Sequence, residues 1–421
     1  MPSLVLIILG AIVAADVLWW RRADRRARRW RHALGGRLLI ALFAGGQMAL
    51  VVWILGGRVL GESSLSSPPQ FLSATAYVWH LVVLPGWLVL MAIARMLFRV
   101  WRSVRRLAGR SDLARRAAAS DTAPAPLFGP TRVATVGVAE SATRRHFLGM
   151  ATTMTPALLT GAGATYSQRL LREFRIRDMR VSLSAMPPVL DGLRIALVAD
   201  LHLGTFTNGR TVKRIVEETS RLNADLVLLP GDLINFALAD LSDALDAVCN
   251  MQSRHGAYLC IGNHDLIEDG AEFIRRTRAR VPLLVNESRI VPIRGHLVQL
   301  LGLPWSRDDA VIAASVGQLA NQISPGAFPI LLAHHPHAFD AAAASGFPLT
   351  VSGHTHGGQL MLTDYCGFGP LMFRYWSGLY CKADGAALVV SNGVGNWLPL
   401  RINAPAEIIL LTLHSRLVDA D

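Results

Sequence analysis

Cysteine is scarce, with four in 421 residues, at 249, 260, 366 and 381. None stands in a C-x-x-C pair, which excludes a zinc ribbon built on thiolates. Cys260 lies in an apolar, strand-like run and reads as a buried thiol. Cys366 and Cys381 are left as a pair that an oxidising compartment would permit. Basic charge is missing where a nucleic-acid surface would need it. Residues 146–421 hold 22 basic and 24 acidic residues, a net charge of −2. No nucleic-acid footprint is expected there.

The positive charge sits in two short stretches instead. Residues 21–37 hold eight Arg and one Asp, and residues 99–145 hold ten Arg and three acids. Apolar residues make up 52% of the chain, more than an ordinary soluble domain needs. Three runs are long enough to span a bilayer, at about 3–20, 38–57 and 76–98, and together occupy region 1–109. A weaker run rich in Gly, Ala and Thr covers 147–166. Asp16, inside the first run, reads as a polar contact between packed helices in preference to a functional polar site.

The Arg-rich stretches should face the cytoplasm, and the segment 58–75, with one Arg and one Glu, should lie outside. That alternation places the domain at 168–421 on the extracytoplasmic side of a bacterial inner membrane. Residues 110–146 read as a cytoplasmic linker. Within them begins "TRRHFLG", 143–149, which resembles a twin-arginine signal and would make the export machinery a partner. The same arginines read equally as positive flanks of the fourth span. "AGA" at 162–164 offers a cleavage site, although retention as an anchor is the reading adopted.

From residue 168 onward, short apolar runs alternate with helical spacing, which predicts an α/β layered fold with a buried sheet. Five of the runs end in Asp, Asn or His: "DLH" (Asp200, His202), "GD" (Asp232), "GNHD" (Asn263, His264, Asp265), "HH" (His334, His335) and "SGHTHGGQ" (His354, His356). In layered α/β folds ligands gather at the carboxyl ends of strands, so these groups should converge on one rim. Carboxylate, imidazole and amide oxygen without thiolate suit Mn, Fe, Zn or Ni, and the ligand count is about enough for two ions.

At these residues the chain resembles the calcineurin-like metallophosphoesterases. "YWSGLY" (375–380), "VVSNGVGNWLPLR" (389–401) and "PAEIILLTL" (405–413) point to the bacterial membrane-associated branch of YkuE-like and YaeI-like proteins. The resemblance covers about 185–415 and implies a layered β-sandwich of two mixed sheets flanked by helices. It implies two divalent metal ions, one held by Asp200, His202 and His356, the other by Asn263, His334 and His354, with Asp232 bridging. His264 would protonate the leaving group, and Asp265 would orient its imidazole. His335 aligns with a variable position, and His337 reads as a surface or substrate-edge residue. Two cations about 3.5–4 Å apart activate a bridging hydroxide for in-line attack on phosphorus.

The leading expectation is a membrane-tethered phosphohydrolase acting on a phosphodiester or pyrophosphate of an envelope or lipid-linked substrate. One alternative is a cytoplasm-facing UDP-diacylglucosamine-type pyrophosphatase of lipid A synthesis. Others are a non-catalytic metal-binding module and a regulatory domain of a membrane sensor or transporter. Tyr375, Trp376 and Trp397 are candidates to shape the pocket, and Arg401 is a candidate phosphate ligand with an equally weighted structural role.

Overall fold

A computed structural model describes residues 2–59, 68–119, 138–363 and 366–415. The chain divides into two compact units, Met1–Thr165 and Tyr166–Asp421. The first contains α1 (Pro2–Ala27), α2 (Ala33–Val59) and α3 (Gln70–Val78). A π-helical turn, Trp79–Val83, carries α3 into α4 (Leu84–Ala119), and α5 (Val138–Leu170) leads out of the unit. Among the described residues, Ala33–Leu55 and Gln70–Arg106 are long and apolar enough to cross a membrane, with mean hydropathies of 2.3 and 2.2. The other two predicted spans are helical too, within α1 and α5.

The predicted linker differs. Residues 110–119 continue α4 as helix, because "RSDLARRAAA" is rich in Ala and Arg, which lose little on entering a helix. Residues 138–146 are likewise helical, and 120–137, the middle of that linker, lie outside the described residues. Residues 60–67 of the predicted outside loop do so as well. Asp16 is buried and fully engaged, as a helix-packing role requires. Trp79 Nε1 donates to its Oδ1 at 2.7 Å, and His80 Nε2 lies 2.8 Å from its Oδ2.

The second unit is built on two sheets. One has five strands in the order β1 (Phe174–Ser182), β13 (Ala406–His414), β2 (Leu193–Leu197), β3 (Leu226–Pro230) and β4 (Ala257–Cys260). The other has six, in the order β11 (Gly378–Cys381), β12 (Ala387–Val390), β8 (Leu349–Ser352), β7 (Phe328–Leu332), β6 (His296–Gly302) and β5 (Glu287–Ile293), and β9 (Met361–Thr363) pairs separately with β10 (Cys366–Gly367). Both sheets are mixed. β2, β3 and β4 pair in parallel, as do β12, β8, β7 and β6, while β13–β2, β11–β12 and β5–β6 are antiparallel.

The continuous apolar strands follow from burial on both faces. Along β2, Ile195 and Leu197 enter the core between the sheets, and Ala196 joins a second core that also takes Ile215 of α6 (Gly209–Arg221), Leu245 of α7 (Leu241–Asn250) and Phe273 of α8 (Gly270–Arg278). β3 alternates in the same way, Leu226 and Leu228 inward, Val227 and Leu229 outward. On the opposite sheet Ile330 and Leu332 of β7 face inward, while Leu331 packs with Ile312 and Val316 of α9 (Asp309–Ala320). The two-sheet sandwich flanked by helices is therefore the expected fold. Its parallel strands bring their carboxyl ends to a common rim.

Candidate metal centre

Each predicted ligand follows the end of a parallel strand. Asp200 and His202 come after β2, Asp232 after β3, Asn263 after β4, His334 after β7, and His354 and His356 after β8. Asp200, His202, Asp232, His354 and His356 all have positive φ, between 44° and 75°. Non-glycine residues rarely hold that conformation, and it collects where a site demands a particular side-chain direction. Two glycines make the close approach possible. A Cβ on Gly262 would collide with Asp232 Oδ1, and one on Gly353 with Asp200 Oδ2.

The side chains converge in three overlapping sets: Asp200, His202 and His356; His202, Asp232 and His264; Asp232, His334 and His354. Within each, the facing atoms lie within 4.8 Å of one another. Asp232 Oδ2 stands 3.5 Å from His202 Nε2 and 3.2 Å from His334 Nε2, between the first and third sets. His334 Nδ1 donates to the Pro230 carbonyl at 2.8 Å, which leaves Nε2 to face Asn263 Oδ1 at 3.0 Å and His354 Nδ1 at 3.1 Å. His202 Nε2 and His356 Nε2 face each other at 3.0 Å. So many acceptors aimed at one another, in a buried place, fit cations between them.

The electrostatics agree. Burial, reinforced by Asp232 and opposed by His334, pushes Asp200 up to about 7. Burial opposes charge on His334, yet Asp232 and Asp200 outweigh it and raise that imidazole to about 9. His202, His354 and His356 are held well below the usual histidine range by burial first and by neighbouring cationic groups second, so they are neutral donors.

His264 reaches the rim beside this cluster, its ring 4.6 Å from that of His202. The expected contact with Asp265 is absent, and this corrects the sequence reading. His264 Nδ1 donates to the Asn235 carbonyl at 2.5 Å. Asp265, buried, accepts instead from the backbone N–H of Asp232 (3.0 Å), Leu233 (2.8 Å), Ile234 (3.2 Å) and Gly262 (2.9 Å). It clamps the two turns that carry Asp232 and Asn263. Asn235 had no signal in the sequence, because its contribution is a backbone oxygen.

The substrate candidates divide. Trp397 lies at the rim, 5.9 Å from the His264 ring. Tyr375 is buried away from it, donating to Asp340 Oδ1 at 3.0 Å and packing on Phe339. Trp376 is likewise buried, against Met361 and Ala404. Arg401 is fully buried, so it is not a phosphate ligand. Nε donates to Asn396 Oδ1 at 2.6 Å, and the fork donates to the carbonyls of Asn392, Gly393, Gly395 and Ala404. Nη2 also lies 3.0 Å from His356 Nδ1. Arg401 thus backs the His356 ring at Nδ1, while Nε2 faces His202 in the cluster. Burial lowers Arg401 to about 10, which leaves it charged at neutral pH. His335 and His337 stack at 4.2 Å beside His354, outside the three sets. All four cysteines are free thiols, with Cys366 and Cys381 exposed and unpaired and Cys260 buried as expected.

Residues 193–358 match the family model described as calcineurin-like phosphoesterase. An uncharacterized metallophosphoesterase of Campylobacter jejuni is 29% identical over 244 residues, 55% of this chain and 62% of its own length. A transmembrane protein with metallophosphoesterase domain from Danio rerio is 29% identical over 257 residues, 57% of each chain. The uncharacterized metallophosphoesterase YkuE of Bacillus subtilis is 28% identical over 298 residues, 65% of this chain and 98% of its own. The chain thus spans less than two thirds of the first two relatives, at 62% and 57%, and nearly all of the third, at 98%.

Proposed function

From a chain that carries a calcineurin-like phosphoesterase domain over residues 193–358, we propose a membrane-tethered hydrolase of phosphoric esters with two divalent ions. Its bond is a phosphodiester or pyrophosphate in an envelope or lipid-linked substrate. The domain faces outside the cytoplasm of a bacterial inner membrane, a reading supported by the Arg-rich stretches at 21–37 and 99–145. The observation that carries the proposal is the convergence of Asp200, His202, Asp232, His334, His354 and His356 in one buried cluster with Asp232 between its halves.

Asp200, Asp232, His202 and His356 would hold one ion, and Asp232, Asn263, His334 and His354 the other. Bound there, the ions activate water and offset the charge of the phosphoryl oxygens. The protein's own groups do the remaining work. Arg401, Pro230 and Asp265 fix ligand directions through the contacts above. Asn235 accepts from His264 Nδ1–H, so the imidazolium form of His264 presents Nε2–H to the leaving oxygen. Water bonds to phosphorus, the bond to the leaving oxygen breaks, and its electron pair stays on that oxygen. The oxygen takes the His264 proton, and the proton lost by water returns to the imidazole through solvent.

The test uses the full chain in detergent, stripped with chelator and reloaded with Mn²⁺, and phosphodiesters of graded leaving groups. His264→Ala should slow an alkyl ester by about 10²–10⁴-fold. A nitrophenyl ester should slow far less, since its phenolate departs without a proton. Undiminished hydrolysis after chelation, or an equal loss for both esters, would sink the respective halves of the proposal.

A further inference from the structure

Five candidate ligands are buried, and only Asn263, His264 and His354 of the centre reach solvent. The aperture therefore lies along these three side chains. Each of its two histidines is flanked by a pair of half-buried aromatic rings. Phe236 and Trp397 stand 5.1 and 5.9 Å from His264. Trp305 and Phe373 stand 5.2 and 5.6 Å from His354. Trp305 also touches His334 and His335 at 5.5 and 5.4 Å, and its other contacts are with the apolar core beneath α6 and α7. All four rings are half-buried, so each keeps part of its surface open beside the centre. A polar centre has no need of such walls for its own stability, whereas an organic group seated beside phosphorus does.

We infer that the two pairs are specificity walls with separate tasks. Phe236 and Trp397, on the side of the proton donor, seat the group that leaves. Trp305 and Phe373, across the centre on His354, seat the group that stays on phosphorus. The substrate class is then a phosphodiester or a diphosphate diester with an organic group on each side of the bond cleaved, and a monoester leaves one wall empty. This deepens the hydrolase proposal and rests on it.

Bis(p-nitrophenyl) phosphate and p-nitrophenyl phosphate share a leaving group and differ only in the retained one. With the full chain in detergent and Mn²⁺ bound, the diester-to-monoester ratio of kcat/KM should fall about tenfold in Trp305→Ala and in Phe373→Ala. In Phe236→Ala and Trp397→Ala the two esters should decline together and the ratio should hold. Diphenyl phosphate, followed by calorimetry without turnover, should bind more weakly to a variant of either pair. Metal content of each variant, matched to wild type, identifies any loss that comes from a damaged centre, and Trp305→Phe replaces a variant that fails that match. A ratio that moves alike in both pairs, or in neither, overturns the wall assignment while hydrolysis stands. A wild type that binds Mn²⁺ and cleaves neither ester overturns the hydrolase reading and this inference with it.

Discussion

Replacing Arg401 with lysine keeps a positive charge and removes the fork that reaches four carbonyls and His356. Groups that hold a metal-binding histidine from behind set its direction, and losing one weakens the metal by about 10–100-fold. Arg401→Lys should therefore titrate with Mn²⁺ as one tight and one weakened site, where the wild type shows two tight sites. Equal affinities in variant and wild type would make Arg401 a core residue and nothing more. The residue also shows where sequence reading stops. The ligands were legible because five short motifs fall in order at strand ends. Burial is not written into "NWLPLR", so a guanidinium suited to phosphate was open to either role. Asp265 misled for another reason. It follows His264 in the chain, but the two sit in a single 3₁₀ turn, His264–Leu266, whose successive side chains point apart.

Among the elements, the turn after β4 is tightly crowded. Gly262 packs against Asp232, and any Cβ there must displace the carboxylate shared between the two halves of the cluster. Gly262→Ala should cost about 1–3 kcal/mol in chemical denaturation of the metal-free protein. It should also reduce bound Mn²⁺, read by metal analysis of the dialysed protein. A variant of wild-type stability and full metal content would refute the crowding argument. The apolar runs of β2, β3, β4, β7 and β8 were visible from sequence, since strands buried on both faces read as unbroken hydrophobic stretches. The partner of β1 was not. Phe174–Ser182 lies parallel to Ala406–His414, a pairing across more than half the chain that no local pattern encodes. The helical continuation through Ala119 was missed because "RSDLARRAAA" has high propensity without an apolar stripe.

For the whole molecule, the cluster is a stability element as well as a site. Ions that bind only the folded state add about 2.7 kcal/mol at a hundredfold excess over Kd. Chelation should then lower the melting temperature of the second unit by several degrees. The size of that drop depends on pH with a definite sign. Without metal, Asp200 and His334 carry protons up to about 7 and about 9. A cation must displace those protons, so the drop on chelation should widen from about pH 5.5 to about pH 8. Calorimetric scans with and without chelator measure it, and a drop that shrinks with rising pH would contradict the assignment of these residues. The long apolar helices were legible at this scale because length and hydropathy need no tertiary knowledge, and two of the four predicted spans fall in helices long and apolar enough to cross a membrane.

The cluster draws Asp200, Asp232 and Asn263 from the ends of one sheet and His334, His354 and His356 from the ends of the other. On the proposed assignment each ion would take ligands from both sheets. The centre thus comes into being only when the two sheets dock, and it samples whatever ions surround it at that moment. Since imidazole and carboxylate sites discriminate poorly among divalent ions by affinity, supply decides the occupant. A chain that completes its fold before crossing a membrane is filled from the compartment it leaves. A chain threaded across unfolded is filled from the one it enters. With two ions bound as proposed, the history of the polypeptide, and not its donor atoms alone, would select the metal.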